Sequence, residues 1–179
     1  RASALAQRQA GWVASRLLEL GARVLLVPIT TSGDRQPQGA IGTLGDKGVF
    51  VKEIQRALLD RRIDLAVHSL KDVPTDPMEG LCLAAVPERA ATSDVLVSRN
   101  YASLEDLPEG TVVGTGSLRR RAQLLHVRPD LTVEDIRGNV DTRLRKLDRG
   151  DYGAIVLAEA GLGRLGLSGH VTQVLPPAT

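Results

Sequence analysis

The sequence predicts an α/β protein in two domains. Three observations carry this. Strands alternate with helices in a unit repeated through the second half, helices and short apolar runs also alternate in the first, and a polar, turn-rich stretch separates the halves. The 179 residues, 42% hydrophobic and 25% charged, can bury a real core as one large or two small domains.

Residues 3–20 carry Leu5, Val13, Leu17 and Leu20 at helical spacing after Ser3, with Gly21 just beyond, and read as an N-capped amphipathic helix closed by glycine. Residues 23–29 read as a buried strand. Residues 30–48 hold six glycines and prolines (Gly33, Pro37, Gly39, Gly42, Gly45 and Gly48) with little periodicity, and read as a long loop. Helical spacing resumes at Val51, Ile54, Leu58 and Leu59, residues 63–68 form a short apolar strand, and Lys71, Asp72, Val73 and Pro74 form a turn. Residues 81–86 are a further strand stopped by Pro87. Residues 87–110 turn polar except for the apolar run 95–97, which puts the domain boundary near 88–93, as domains 1–88 and 89–179. In the second domain, residues 111–113 are a strand, Gly114, Thr115 and Gly116 a tight turn, and Ser117 caps a helix that Arg128 and Pro129 stop. The unit repeats with a strand at 131–136, a turn at Arg137, Gly138 and Asn139, and a helix at 140–147. A strand at 154–157 and a helical turn at 161–167 follow, and the alternation implies a parallel sheet with helices on its faces.

Composition removes several classes of function. Cys82 is the only cysteine, so no intramolecular disulfide forms and no metal site is expected. A net charge of +2 and 2% aromatic content argue against nucleic acid. No run approaches the ~20 apolar residues that span a bilayer, and no signal peptide opens the chain, so no membrane partner and a cytoplasmic location are expected. The 19 Arg against 4 Lys hint at an anionic small ligand, although composition alone favours a solvated surface.

In α/β sheets, ligands collect at the carboxyl ends of parallel strands, and both repeated units put arginine there. The 114–117 turn followed by Arg119 and Arg120 forms an anion cradle at a helix N-terminus, and Arg137 and Arg143 flank a second. Helical residues turn by about 100° each, so Arg119, Arg120 and Arg121 cannot all face one ligand. The alternative is that these arginines pair with Glu134, Asp135, Asp141 and Asp148. Nucleotide motifs fit poorly, with Arg119 where a dinucleotide fingerprint needs its third glycine, and no Gly-Lys-Ser/Thr ending after Lys47. Asp72 follows a buried strand and stands beside Lys71, where a carboxylate can exchange a proton with an amine or stabilise a cation, although Lys-Asp-Val-Pro alone is also an ordinary turn. His68 reads as a satisfied strand-end histidine and Cys82 as a small buried hydrophobe.

Taken together, GVFVKEI (48–54), AVHSLKDVP (66–74), GTGSLRR (114–120) and RGNVDTR (137–143) are similar to the hydroxymethylbilane synthase (porphobilinogen deaminase) family. RASALA (1–6) and LAEAGLGRLG (157–166) match as well, so the resemblance covers nearly the whole chain. It implies a transferase of haem and tetrapyrrole biosynthesis that condenses four porphobilinogen molecules, losing ammonia each time, into the linear hydroxymethylbilane. Porphobilinogen carries acetate and propionate groups, the kind of anion that the arginines suit.

The resemblance further implies two type II periplasmic-binding-protein-like α/β domains with the active site between them, a dipyrromethane cofactor and a monomer. Position by position, Asp72 matches the catalytic carboxylate. Lys71, Thr115, Ser117, Arg119, Arg120 and Arg143 match cofactor-binding positions, while Arg1, Ser3, Arg137 and Arg164 match substrate-binding ones. Lys47 belongs to a lid. Family members also have a strand before the position of Arg1, and a third domain whose cysteine anchors the cofactor. Neither is in this sequence, so the chain alone is expected to be inactive. The competing expectation is a non-catalytic periplasmic-binding-like module for an anionic small ligand.

Overall fold

The computed structural model describes residues 3–29, 51–76 and 78–175. The expected lid with Lys47, and Arg1, lie outside the described residues. The chain divides into two compact units, Arg1–Pro87 and Glu88–Thr179.

In the first unit, helix α1 (Ala4–Glu19) starts as its sequence requires, with the Ser3 hydroxyl accepting from the Ala6 N–H at 3.3 Å. It closes at Gly21, with the Ala22 N–H donating to Leu17 O and the Gly21 N–H to Leu18 O, which satisfies two end carbonyls. Helix α2 (Lys52–Leu59) buries Ile54 and Ala57, together with Val51 just before it. Its closing turn has the same hydrogen bonds, from Arg62 to Ala57 and from Arg61 to Leu58. Lys71 and Asp72 sit in a 3-10 turn, Leu70–Asp72.

The three strands expected in this unit are not formed: residues 23–29, 63–68 and 81–86 join no sheet among the described residues. A strand is held by a neighbour's backbone groups, and apolar sequence alone cannot supply them. Leu25, Leu65, Leu83 and Val86 are accordingly more than half exposed. Cys82 is exposed too, a correction that follows from the same missing ladder.

The second unit is a five-stranded sheet in the order β3-β2-β4-β1-β5. Its strands are β1 (Asp94–Ser98), β2 (Val112–Gly114), β3 (Thr132–Glu134), β4 (Ala154–Ala158) and β5 (Gln173–Leu175), with helices α3 (Leu118–Val127), α4 (Val140–Asp148) and α5 (Glu159–Leu165). Strands β3, β2 and β4 run parallel, as expected, whereas β1 runs antiparallel to both β4 and β5. The sheet is therefore mixed, not parallel. The apolar run 95–97 explains the difference: it is no island in a loop but the strand between β4 and β5.

Alternation along β1 and β4 builds two core layers. Leu96, Ala154 and Val156 pack on one face with Val113, Val133 and Leu124 of α3. Val95, Val97, Ile155 and Leu157 pack on the other with Leu144 and Leu147 of α4 and Leu162 of α5. Strands buried on both faces read as continuous apolar runs, which is how DVLVS and AIVLA are written.

Candidate functional site

Because β2, β3 and β4 are parallel, the segments after Gly114, Glu134 and Ala158 all leave the sheet at one edge. Strand β1 enters there, since Asp94 pairs with Ala158 across the ladder. This edge holds the arginine cradles.

The first cradle is tightly built. Thr115 is buried, its N–H donates to Glu134 O, and its hydroxyl accepts from the Ser117 N–H at 3.3 Å. Ser117 caps α3 by accepting from the Arg120 N–H. A Cβ on Gly114 would come within 2.9 Å of the Tyr152 ring, so only glycine lets the turn lie this close to its neighbours. In the second cradle, the Asn139 side chain caps α4 by accepting from the Thr142 N–H at 2.9 Å. Gly138 has φ +111°, and a Cβ there would lie 2.7 Å from Thr142 Cγ2.

Asp94 is the feature sequence reasoning missed. Its two oxygens accept separately from Arg119 Nη2 and Arg120 Nη2, each at 2.7 Å. The Arg120 side chain is 11% exposed and the Arg119 side chain 61% exposed, so one arm is sunk in the protein and the other reaches into solvent. Arg120 Nη1 also donates to Val156 O at 3.2 Å, while its buried Nε has no hydrogen-bond partner. Burial pushes the Arg143 guanidinium below its ordinary pKa, and the positive charge of Arg120 adds to the effect. Its Nε donates to Gly138 O. Burial pushes the Asp94 carboxyl upward, but the hydrogen bonds and charges of Arg120 and Arg119 overcome this and hold its pKa low. A buried donor without an acceptor, next to mutually repelling cations, is a place that favours a carboxylate.

The other expected positions fall elsewhere. Arg137 pairs with Asp135 at 2.8 Å on an exposed surface, as the ion-pair alternative anticipated for that residue. Asp148 pairs with Arg99 instead. Arg121 is exposed on α3, and Arg164 is exposed on α5.

In the first unit, Ser3, Gln9, His68, Ser69 and Asp72 line a small cavity of about 50 Å³. The Ser69 hydroxyl donates to Gln9 Oε1 at 3.1 Å. His68 Nδ1 lies 3.1 Å from Ser69 O and donates to it, while Nε2 is buried without a partner, so this histidine is only half satisfied. Lys71 and Asp72 are exposed. Among the described residues, no group of three or more His, Cys, Asp or Glu could hold a metal ion, and no helix is long and apolar enough to cross a membrane.

The family model described as "Porphobilinogen deaminase, dipyromethane cofactor binding domain" matches residues 1–179. The chain belongs to the porphobilinogen deaminase family. Porphobilinogen deaminase of Phenylobacterium zucineum is 55% identical over 159 residues, covering 86% of this chain and 49% of its own length. Porphobilinogen deaminase of Caulobacter vibrioides is 57% identical over 155 residues, covering 87% and 48%. That of Desulforudis audaxviator is 54% identical over 180 residues, covering 99% and 58%. The chain thus spans about half the length of the curated relatives it matches. The matched domain takes its name from a dipyrromethane cofactor.

Proposed function

We propose that this chain supplies the acid–base carboxylate and the carboxylate-binding arginines of a porphobilinogen-condensing transferase that makes hydroxymethylbilane. The observation that carries the reading lies at the sheet edge of the second unit, where the largely buried Arg120 keeps an unpartnered Nε and its charge bears on Arg143. Porphobilinogen and dipyrromethane both present acetate and propionate groups, and a carboxylate oxygen accepts from Nε with charge assistance.

At the sheet edge of the second unit, the unpartnered Nε of Arg120 suits a carboxylate of the cofactor. Arg119, Arg120, Arg143, Lys71, Thr115 and Ser117 would hold its carboxylates, and Arg1, Ser3, Arg137 and Arg164 those of the substrate. When bound, dipyrromethane supplies the pyrrole to which further rings are added.

Asp72 does the proton work. Its carboxyl group gives a proton to the aminomethyl nitrogen of porphobilinogen, the C–N bond breaks, and ammonia leaves with the bonding pair. The carboxylate left behind stabilises the cationic azafulvene. Asp72 would then take up the ring proton released as the new C–C bond forms, which restores its acid form. The reading includes a cytoplasmic monomer.

The test is Asp72→Asn in a full-length protein carrying this sequence, following ammonia release and porphobilinogen binding. Removing a general acid typically costs about 10²- to 10⁴-fold in rate. Expected, therefore, is at least a hundredfold loss of turnover with saturable binding retained. Equal behaviour of the two proteins, binding without turnover in both, would instead identify a non-catalytic anion-binding module.

A further inference from the structure

We propose that Asp94 is a positioning residue for the carboxylate-binding arginines, holding Arg119 and Arg120 at set angles while leaving their remaining N–H groups for ligand. The inference rests on the proposed carboxylate binding at this edge.

Asp94 spends each of its oxygens on one terminal nitrogen of a different guanidinium, both at 2.7 Å. A guanidinium has five N–H donors in a rigid plane, so one fixed corner sets the direction of the rest. For Arg120, a second corner is fixed by Val156 O, and Nε is left buried and unpartnered. For Arg119, Nη1 is held by Gln123 Oε1 at 2.9 Å on its own helix.

Electrostatics leads to the same assignment. Burial and the charge of Arg120 both work against the charge of Arg143, and the Arg120 side chain is only 11% exposed. Without a nearby carboxylate, a buried guanidinium in that position is drawn out to solvent. Asp94 offsets one positive charge of the pair it holds, so Arg120 stays inside. Fold topology makes this possible, because only a strand running against β4 delivers its first residue to the edge where α3 begins.

The test compares the 179-residue chain with its Asp94→Asn and Asp94→Glu variants. Porphobilinogen binding is measured by calorimetry, and the arginine Nε–H signals by ¹⁵N nuclear magnetic resonance. Wild-type Arg120 is expected to give a distinct, slowly exchanging Nε–H signal. Asp94→Asn averages that signal and weakens porphobilinogen binding by about tenfold, the scale of a misdirected charged hydrogen bond. Asp94→Glu, which keeps the charge, retains the signal. Equal or tighter binding by Asp94→Asn overturns the proposal, since Asp94 would then be competing with the ligand. Should Asp94→Asn fail to fold, an averaged Arg120 signal in Asp94→Glu overturns it instead. If the wild-type chain binds no porphobilinogen, the proposed function fails for this chain, while the Arg120 signal still judges the positioning role.

Discussion

Arg61 closes helix α2 with φ 54°, the left-handed region that costs a residue bearing a Cβ about 1–2 kcal/mol and costs glycine little. Part of that gain is lost to the wider freedom of glycine in the unfolded chain. Arg61→Gly is therefore expected to stabilise the first unit by roughly 0.5–1 kcal/mol, read as a higher urea midpoint. At Asp94 the prediction concerns acid. Its pKa in the folded protein is held below the ordinary value, so its pairing stabilises the fold above about pH 4 and is lost as pH falls through the depressed value. Asp94→Asn should flatten the fall in stability between pH 5 and pH 2, whatever its effect at neutral pH, and acid titration of the unfolding midpoint measures it. Residue by residue, the place of Arg119, Arg120 and Arg143 at the sheet edge was legible because the turns that carry them stand beside them in the sequence. Asp94 was not. A parallel sheet would have put it at the opposite edge, so the missing information was a strand direction, not a residue type.

Helices in this chain announce their ends, and strands do not. Ser3, Ser117 and Asn139 each cap the helix that follows by side-chain acceptance, as their sequence positions required. The three-residue strands β2, β3 and β5 have too few residues for a period to show, and β5 was missed. In the first unit the error ran the other way, with apolar runs that form no ladder among the described residues. Asn139→Ala should cost about 1 kcal/mol through the orphaned Thr142 N–H. Gly138→Ala should cost more, about 2 kcal/mol, since the new methyl meets Thr142 while the backbone holds φ +111°. Chemical denaturation of each variant checks the order, and α4 reports both changes because the two residues form its entry turn.

Across the whole molecule, apolar burial among the described residues is concentrated in the second unit, where each face of the sheet has its own core cluster. Leu96, wholly buried between β4 and β5, fills the layer shared with α3, and Leu96→Ala is expected to cost about 2–5 kcal/mol. Hydrogen exchange should accordingly be slowest at the amides of β1 and β4 and fast in residues 23–29, which join no ladder among the described residues. The α/β class was legible at this scale because helix spacing and apolar runs survive without knowledge of strand order. The mixed sheet was not, since pairings between residues some sixty apart leave no local trace.

The position of β1 between β4 and β5 also has a consequence for synthesis. Its two neighbours, β4 and β5, both come later in the chain, with Val97 facing Ile155 and Val95 facing Val174. A polypeptide leaving the ribosome at about 5–20 residues per second therefore carries Val95, Leu96 and Val97 without a partner for seconds before β4 emerges, and longer before β5 does. During that interval an apolar strand of the second unit is open to any passing strand or chaperone. A segment whose middle residues end up wholly buried is the one left waiting longest while the sheet is made.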